Sequence, residues 1–257
     1  MEVLSVSTQK GGVAKTTISF NLGASLSLKY GKRILLVDID PQANLSEYLG
    51  FEQDGNPTLT NLILSVCTGS ELSENSVKQS IRHNDIANVD YIPSDINLAG
   101  TEAVMSTVIS RETILKRILS KIDSSAYDYL IIDCLPSLGT LLINALASAD
   151  KILIPVQTQK FSLDGLQALE NLYKQVKANI NPGLEILGVV ATMTDRTVVC
   201  RNILKTLSEK YGDLLFKTTI SKSVTAPESA EKKVPLCSLK GKLGTEFDNL
   251  AMEVLEK

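Results

Sequence analysis

The chain has 257 residues, 44% of them hydrophobic, with 26 Lys and Arg against 29 Asp and Glu, one histidine and four cysteines. That suffices for one large α/β domain with a sizeable core, and no apolar run is long enough to span a bilayer. A lone His83 in a polar stretch argues against Ser-His-Asp chemistry and histidine-based metal binding. Cys67, Cys134, Cys200 and Cys237 lack the paired spacing of zinc or redox sites, so reduced thiols in a cytoplasmic protein are expected.

The first predicted strand, Val3–Val6, runs into Gln9-Lys10-Gly11-Gly12-Val13-Ala14-Lys15-Thr16-Thr17, and a helix is predicted over Thr16–Lys29. A turn between strand and helix aims backbone N–H groups and the positive end of the helix dipole at a bound anion. Lys15 adds a point charge for terminal phosphates, and the Thr16 hydroxyl suits a Mg²⁺ coordination position. Binding of a nucleotide triphosphate is therefore expected. The strict pattern G-x-x-x-x-G-K-[ST] fails, because Gln9 and Ala14 stand at its glycine positions, and a second lysine, Lys10, opens the loop. Ala14 holds helical φ readily but not left-handed φ, which predicts a helix-like turn there.

Further strands are predicted at Ile34–Val37, Val89–Ile92, Tyr129–Ile132, Ile152–Val156, Ile186–Ala191 and Leu214–Ile220. Helices are predicted at Arg111–Ile122, Leu141–Ala149, Ser162–Ala178 and Cys200–Lys210. Residues 52–85 are polar and weakly patterned and read as short surface helices and loops inserted between the second and third strands. In Gly241–Lys257, Leu243, Phe247, Leu250, Ala251 and Val254 fall at helical spacing opposite Glu246, Asp248, Glu253 and Glu256. An acidic polar face is repelled by anionic membranes, so this helix is expected to pack on the core. Short apolar strands alternating with amphipathic helices predict an α/β fold, a mostly parallel twisted sheet with helices on both faces.

Two of these strands end in acid: Asp38-Ile39-Asp40-Pro41 and Asp133-Cys134-Leu135-Pro136. Ligands of open α/β sheets sit beyond the carboxyl ends of the strands, where carboxylates can hold Mg²⁺ through its water shell and orient an attacking water. Asp38 and Asp133 are assigned to the Mg²⁺ shell with Thr16, and Asp40 to the water. Charge is unevenly spread as well. From Arg196 to Lys242 ten basic residues oppose four acidic ones, a net +6 in a chain of net −3. A basic face on an acidic body is the simplest reading.

With these motifs in hand, the chain resembles the ParA/Soj family of partition ATPases, in the ParA–MinD group of deviant Walker A phosphate-loop NTPases. The resemblance rests on Lys10–Thr17, Leu36–Asn44, Asp128–Gly139, Ile154–Gln157 and Thr192–Thr197, and runs nearly the whole length. It implies one ATPase domain over residues 1–257 that uses ATP and Mg²⁺ and binds nucleotide through Lys10, Gly11, Gly12, Val13, Ala14, Lys15, Thr16 and Thr17. It also implies an ATP-sandwiched homodimer in which Lys10 reaches the partner's phosphates, with Lys10, Lys15 and Asp40 catalytic and Asp133 in the second switch. Sequence-independent DNA binding follows from the same resemblance, with Arg196 and Lys222 at DNA-contacting positions and Arg201 and Lys205 beside them. So does release by a ParB-like centromere-binding partner, in the cytoplasm over the nucleoid and away from the membrane. Ala14 replaces a usual glycine, Leu135 a usual proline, and Ser221 stands where an Ile-Pro pair commonly frames the base. The phosphate-loop strand begins at residue 2, so no N-terminal helix-turn-helix extension is expected. The rival readings are a positioning ATPase for a protein cargo such as a chemoreceptor cluster or microcompartment, a MinD-like regulator, a small-molecule kinase or synthetase for which no substrate constellation is visible, and an iron–sulfur reductase. The last is disfavoured by the placement of Cys134.

Overall fold

The computed structural model describes residues 1–159 and 162–257, the side chains of residues 162–164 excepted. Its strands are β1 (Glu2–Val6), β2 (Ile34–Asp38), β3 (Arg82–Asn84), β4 (Val89–Ile92), β5 (Tyr129–Asp133), β6 (Lys151–Gln157), β7 (Glu185–Thr194) and β8 (Ile220–Ser221). They form one sheet in the order β3-β4-β2-β5-β1-β6-β7-β8. Every pairing is parallel except that of β3 with β4 at one edge. The helices are α1 (Lys15–Tyr30), α2 (Asn44–Tyr48), α3 (Leu59–Cys67), α4 (Glu74–Gln79), α5 (Leu98–Met105), α6 (Ile114–Leu119), α7 (Thr140–Ser148), α8 (Ser162–Asn179), α9 (Val198–Tyr211), α10 (Thr225–Lys232) and α11 (Lys242–Leu255).

The central strands are buried on both sides, which explains their nearly unbroken apolar runs. Along β2 and β5, Leu35, Val37, Leu130 and Ile132 face one core, and Ile34, Leu36 and Ile131 the other. Leu62, Ile118, Leu141, Leu169 and Leu207 close the first core. Ile18, Phe20 and Leu22 of α1 close the second with Leu243, Phe247 and Leu250 of α11, so the last helix packs on the core as its spacing predicts. α1 stops at Gly31, whose left-handed φ of 64° lets Gly31 N–H donate to the Ser27 carbonyl and Lys32 N–H to the Leu26 carbonyl.

Three expectations are corrected. The predicted strand Leu214–Ile220 is strand only at Ile220–Ser221, preceded by a 3₁₀ turn at Gly212–Leu214 and one bridge from Leu215 to Val189. Its backbone donors turn to α11 instead: Lys217 and Thr218 donate to Glu253 over 2.9 and 2.7 Å. Within residues 52–85, α3 is a core helix, with Leu59, Leu62, Ile63 and Val66 buried, and the edge strand β3 follows it. The predicted helix from Arg111 starts as a 3₁₀ turn and is α-helical only over Ile114–Leu119.

Candidate functional site

β2, β5 and β1 are neighbours in register, with Asp38 opposite Asp133 and Asp133 opposite Val6. Three parallel strands therefore end at one level and deliver two carboxylates to the start of the glycine loop. The loop is tied down along its length. Ser7 N–H donates to Leu153 over 3.1 Å, and Thr192 of β7 donates its hydroxyl to the Val13 carbonyl over 3.1 Å. Gly12 has φ 70°, and a Cβ at Gly11 or Gly12 would meet nothing within 4 Å, so both backbones face open space.

Ala14 lies at φ 72° and ψ 28°, left-handed rather than helix-like as its side chain suggests. Val13 is pinned beneath Thr192 and α1 begins at Lys15, so the residue between them must reverse the chain. The alanine adopts that conformation at a cost of about 1 kcal/mol. Lys15 follows, largely buried, and donates to the Lys10 carbonyl over 3.3 Å. Burial lowers its pKa, against the attraction of Asp133.

The carboxylates are held by hydroxyls, of which the sequence motifs mark only that of Thr16. Asp133 accepts from Thr16 Oγ1 over 2.7 Å and Ser19 Oγ over 2.8 Å. Ser19 lies three residues past Thr16, on the same helix face, and that spacing is a signal present in the sequence. Asp38 accepts from the N–H and hydroxyl of Ser46, over 2.9 and 2.7 Å, and from Asp40 N–H over 3.1 Å. Ser46 Oγ also accepts from Ser94 N–H over 2.9 Å. Burial raises the pKa of both Asp38 and Asp133, and the charge of Asp133 pushes Asp38 further. Asp40 accepts from Gln42 N–H over 2.9 Å and, unlike Asp38, lines the cavity.

That cavity, about 610 Å³, opens at the N-terminus of α1. Gly11, Gly12, Ala14, Lys15, Thr16 and Thr17 form its floor, and Asp40, Tyr48, Pro136 and Lys233 its walls. A second cavity of about 420 Å³ shares Gly12, Ala14 and Thr17 with it and continues between Met193, Ile220, Ala226, Pro227 and Leu243. One compartment carries charges of both signs beside a helix N-terminus, and its neighbour is largely apolar. Among the described residues no cluster of three or more His, Cys, Asp or Glu could hold a metal by itself. Cys134 is buried against Ser5, its thiol pushed up to about 12 chiefly by burial.

Arg196, Arg201, Lys205 and Lys222 are all exposed. Lys222 N–H donates to Thr194 O over 3.0 Å, which brings the loop bearing Arg196 beside Lys222. Arg201 and Lys205 stand one turn apart on α9, and Lys205 approaches Glu209 at 3.8 Å, an exposed pair of little energetic weight. Among the described residues no helix is long and apolar enough to cross a membrane.

Residues 1–186 match the family described as AAA domain. The sporulation initiation inhibitor protein Soj of Bacillus subtilis is 40% identical over 236 residues, 91% of this chain and 90% of its own. The chromosome partitioning protein ParA of Caulobacter vibrioides is 34% identical across 100% of this chain and 95% of its own. Of solved structures, a cobyrinic acid a,c-diamide synthase of Mycobacterium smegmatis with bound ATP analog and magnesium is 31% identical, with a TM-score of 0.85 over 100% of this chain and 94% of that one. Apo McdA from Cyanothece is 25% identical with a TM-score of 0.86 over 99% of both chains. Such likeness spans the loop, the acidic strand ends and the sheet that carries them, and the chain belongs to the ParA/Soj family of chromosome-partitioning ATPases.

Proposed function

We propose that residues 1–257 act as one ATPase domain that binds ATP with Mg²⁺, dimerises on it, holds DNA without sequence preference and lets go when a partner protein stimulates hydrolysis. One observation carries the reading: a cavity at the N-terminus of α1 joins Lys15, the Thr16–Asp133 pair and Asp40 to a largely apolar compartment of about 420 Å³, roomy enough for a nucleobase. The N–H groups of residues 11–16 and the dipole of α1 meet a triphosphate, and Lys15 neutralises its terminal oxygens. The apolar compartment takes the base.

The donor set fits a hard cation held jointly by protein and phosphate, because Thr16 and the carboxylates offer oxygen alone. Thr16 would ligate Mg²⁺ directly, and Asp133 and Asp38 would act through its water shell. Bound there, the cation supplies charge neutralisation across the phosphate oxygens. Asp40, which lines the cavity, orients the water that attacks the terminal phosphorus. Two loaded sites brought face to face accumulate negative charge, and Lys10 given across the dimer offsets it.

Arg196, Arg201, Lys205 and Lys222 form the DNA face. Dimerisation doubles the number of phosphates engaged, each adding about −0.9 to the salt slope of log K, so a weak monomeric patch becomes an ATP-dependent binder. A ParB-like centromere protein completes the cycle, in the cytoplasm over the nucleoid. The test is sedimentation of the purified chain with ADP or a non-hydrolysable ATP analogue, with and without a DNA duplex. A dimer that forms and binds DNA only with the ATP analogue supports the reading. A chain that stays monomeric with both nucleotides overturns it.

A further inference from the structure

The apolar compartment has an unusual outer wall. β8 is two residues long and lies at the sheet edge, and Ser221 within it faces a carboxylate of the last helix. Ser221 N–H donates to Glu246 Oε2 over 2.8 Å, and Ser221 Oγ donates to Glu246 Oε1 over 2.6 Å. Lys242 donates to the same Ser221 Oγ over 2.7 Å and pairs with Glu246 over 3.2 Å. The Glu246 side chain is only 12% exposed and that of Lys242 79%, so the carboxylate is the anchored member. It is anchored well, between Leu243 and Phe247, which are buried in the core against α1.

What Glu246 grips is the strap Ile220–Ser223, which with Ala226 and Pro227 walls the 420 Å³ compartment. Glu246 itself lines neither cavity. A serine in so short an edge strand has two donors and little stiffness of its own, and the bidentate carboxylate supplies both an acceptor and a fixed position. We infer that Glu246 is a positioning residue for the nucleobase wall, holding Ser221 so that the compartment keeps the width of a base while the phosphate loop is left untouched. The inference rests on the nucleotide reading above.

The experiment compares two ligands by calorimetry in the presence of Mg²⁺: ADP, which fills both compartments, and inorganic tripolyphosphate, which fills only the loop. Glu246→Ala is expected to weaken ADP about tenfold and leave tripolyphosphate within about twofold, the scale of lost hydrogen bonds to a charged acceptor. Glu246→Gln, whose amide can accept from Ser221 N–H and donate to its oxygen, is expected to restore ADP affinity. Ser221→Pro removes both donors, so adding Glu246→Ala to it should change nothing further, and this pair of variants still decides the matter if Glu246→Ala alone does not fold. Equal loss for both ligands, an unchanged ADP affinity, or a further loss in the Ser221→Pro background overturns the role. An unsubstituted chain that binds tripolyphosphate but not ADP overturns the base wall alone. One that binds neither overturns the nucleotide reading and this inference with it.

Discussion

Thr16 donates its hydroxyl proton to Asp133 over 2.7 Å. Donation in that direction leaves the lone pairs of the threonine oxygen free, as a metal-ligating hydroxyl requires. Ser19 takes the other carboxylate oxygen over 2.8 Å, so the end of β5 is fastened by two hydroxyls to the first turns of α1. Chemistry at the loop and the position of the second acidic strand end are thus one mechanical unit.

That unit has a pH signature. Burial raises the pKa of Asp38 and of Asp133. The unfolded chain releases these protons near the ordinary carboxylate value of about 4, whereas the folded chain keeps them to higher pH. The contribution of these two groups to stability is therefore fully present below about pH 4 and is lost as pH rises through the raised values. Without nucleotide, the urea midpoint is expected to be higher at about pH 5.5 than at about pH 8, and Asp38→Asn should flatten the difference. A midpoint that climbs with pH over that interval would remove this account.

Ala14→Gly probes the left-handed residue. Glycine adopts φ 72° without steric cost, and its freer unfolded state gives back part of the gain. The variant is expected to be more stable by about 0.5 kcal/mol in urea unfolding. A loss of about 1 kcal/mol, as for Ala→Gly within a helix, would mean that Ala14 is right-handed in solution.

Lys10→Ala tests the lysine offered across the dimer. ATP-dependent dimerisation and DNA binding should vanish while nucleotide capture through Lys15 partly survives. Light scattering with ATP reads the first and calorimetry the second, and an undiminished dimer refutes the role.

Asp40→Ala should lower ATP turnover by about 10²-fold or more, the usual scale for a lost acid–base or water-positioning group. The ATP-bound dimer should then persist on DNA. Turnover at the unsubstituted rate excludes Asp40 from positioning the water.

Neutralising Arg196 and Lys222 should weaken binding of all duplexes alike and make the salt slope shallower by about 0.9 for each phosphate that is no longer neutralised. Filter binding across a salt series gives the slope. An unchanged slope takes both residues off the DNA face.

Several departures from the sequence expectations share a cause. Lys217 and Thr218 lie inside the predicted strand Leu214–Ile220, yet their donors are claimed by Glu253 from a helix 35 to 36 residues onward. Ser46 is silent as a motif and becomes the main partner of Asp38 only when α2 folds back over β2. The apolar face of α3 spans only nine residues between polar flanks, too short a run to stand out in residues 52–85.

The sequence by itself determined the parallel sheet, the cradle opening α1, the acidic ends of β2 and β5 and the core face of α11. Each of those is written in local order: apolar runs, a 3.6-residue spacing, charges at strand ends. Only the tertiary structure decided that Ala14 turns left-handed, since Thr192 holds Val13 from 179 residues away. It alone decided that the hydroxyl of Ser46 satisfies the buried Asp38, and that α11 braces the wall of the second cavity. A backbone prefers what its neighbours in sequence allow, but a buried polar group takes whatever partner the packed chain brings within about 3 Å, and local pattern does not encode that meeting.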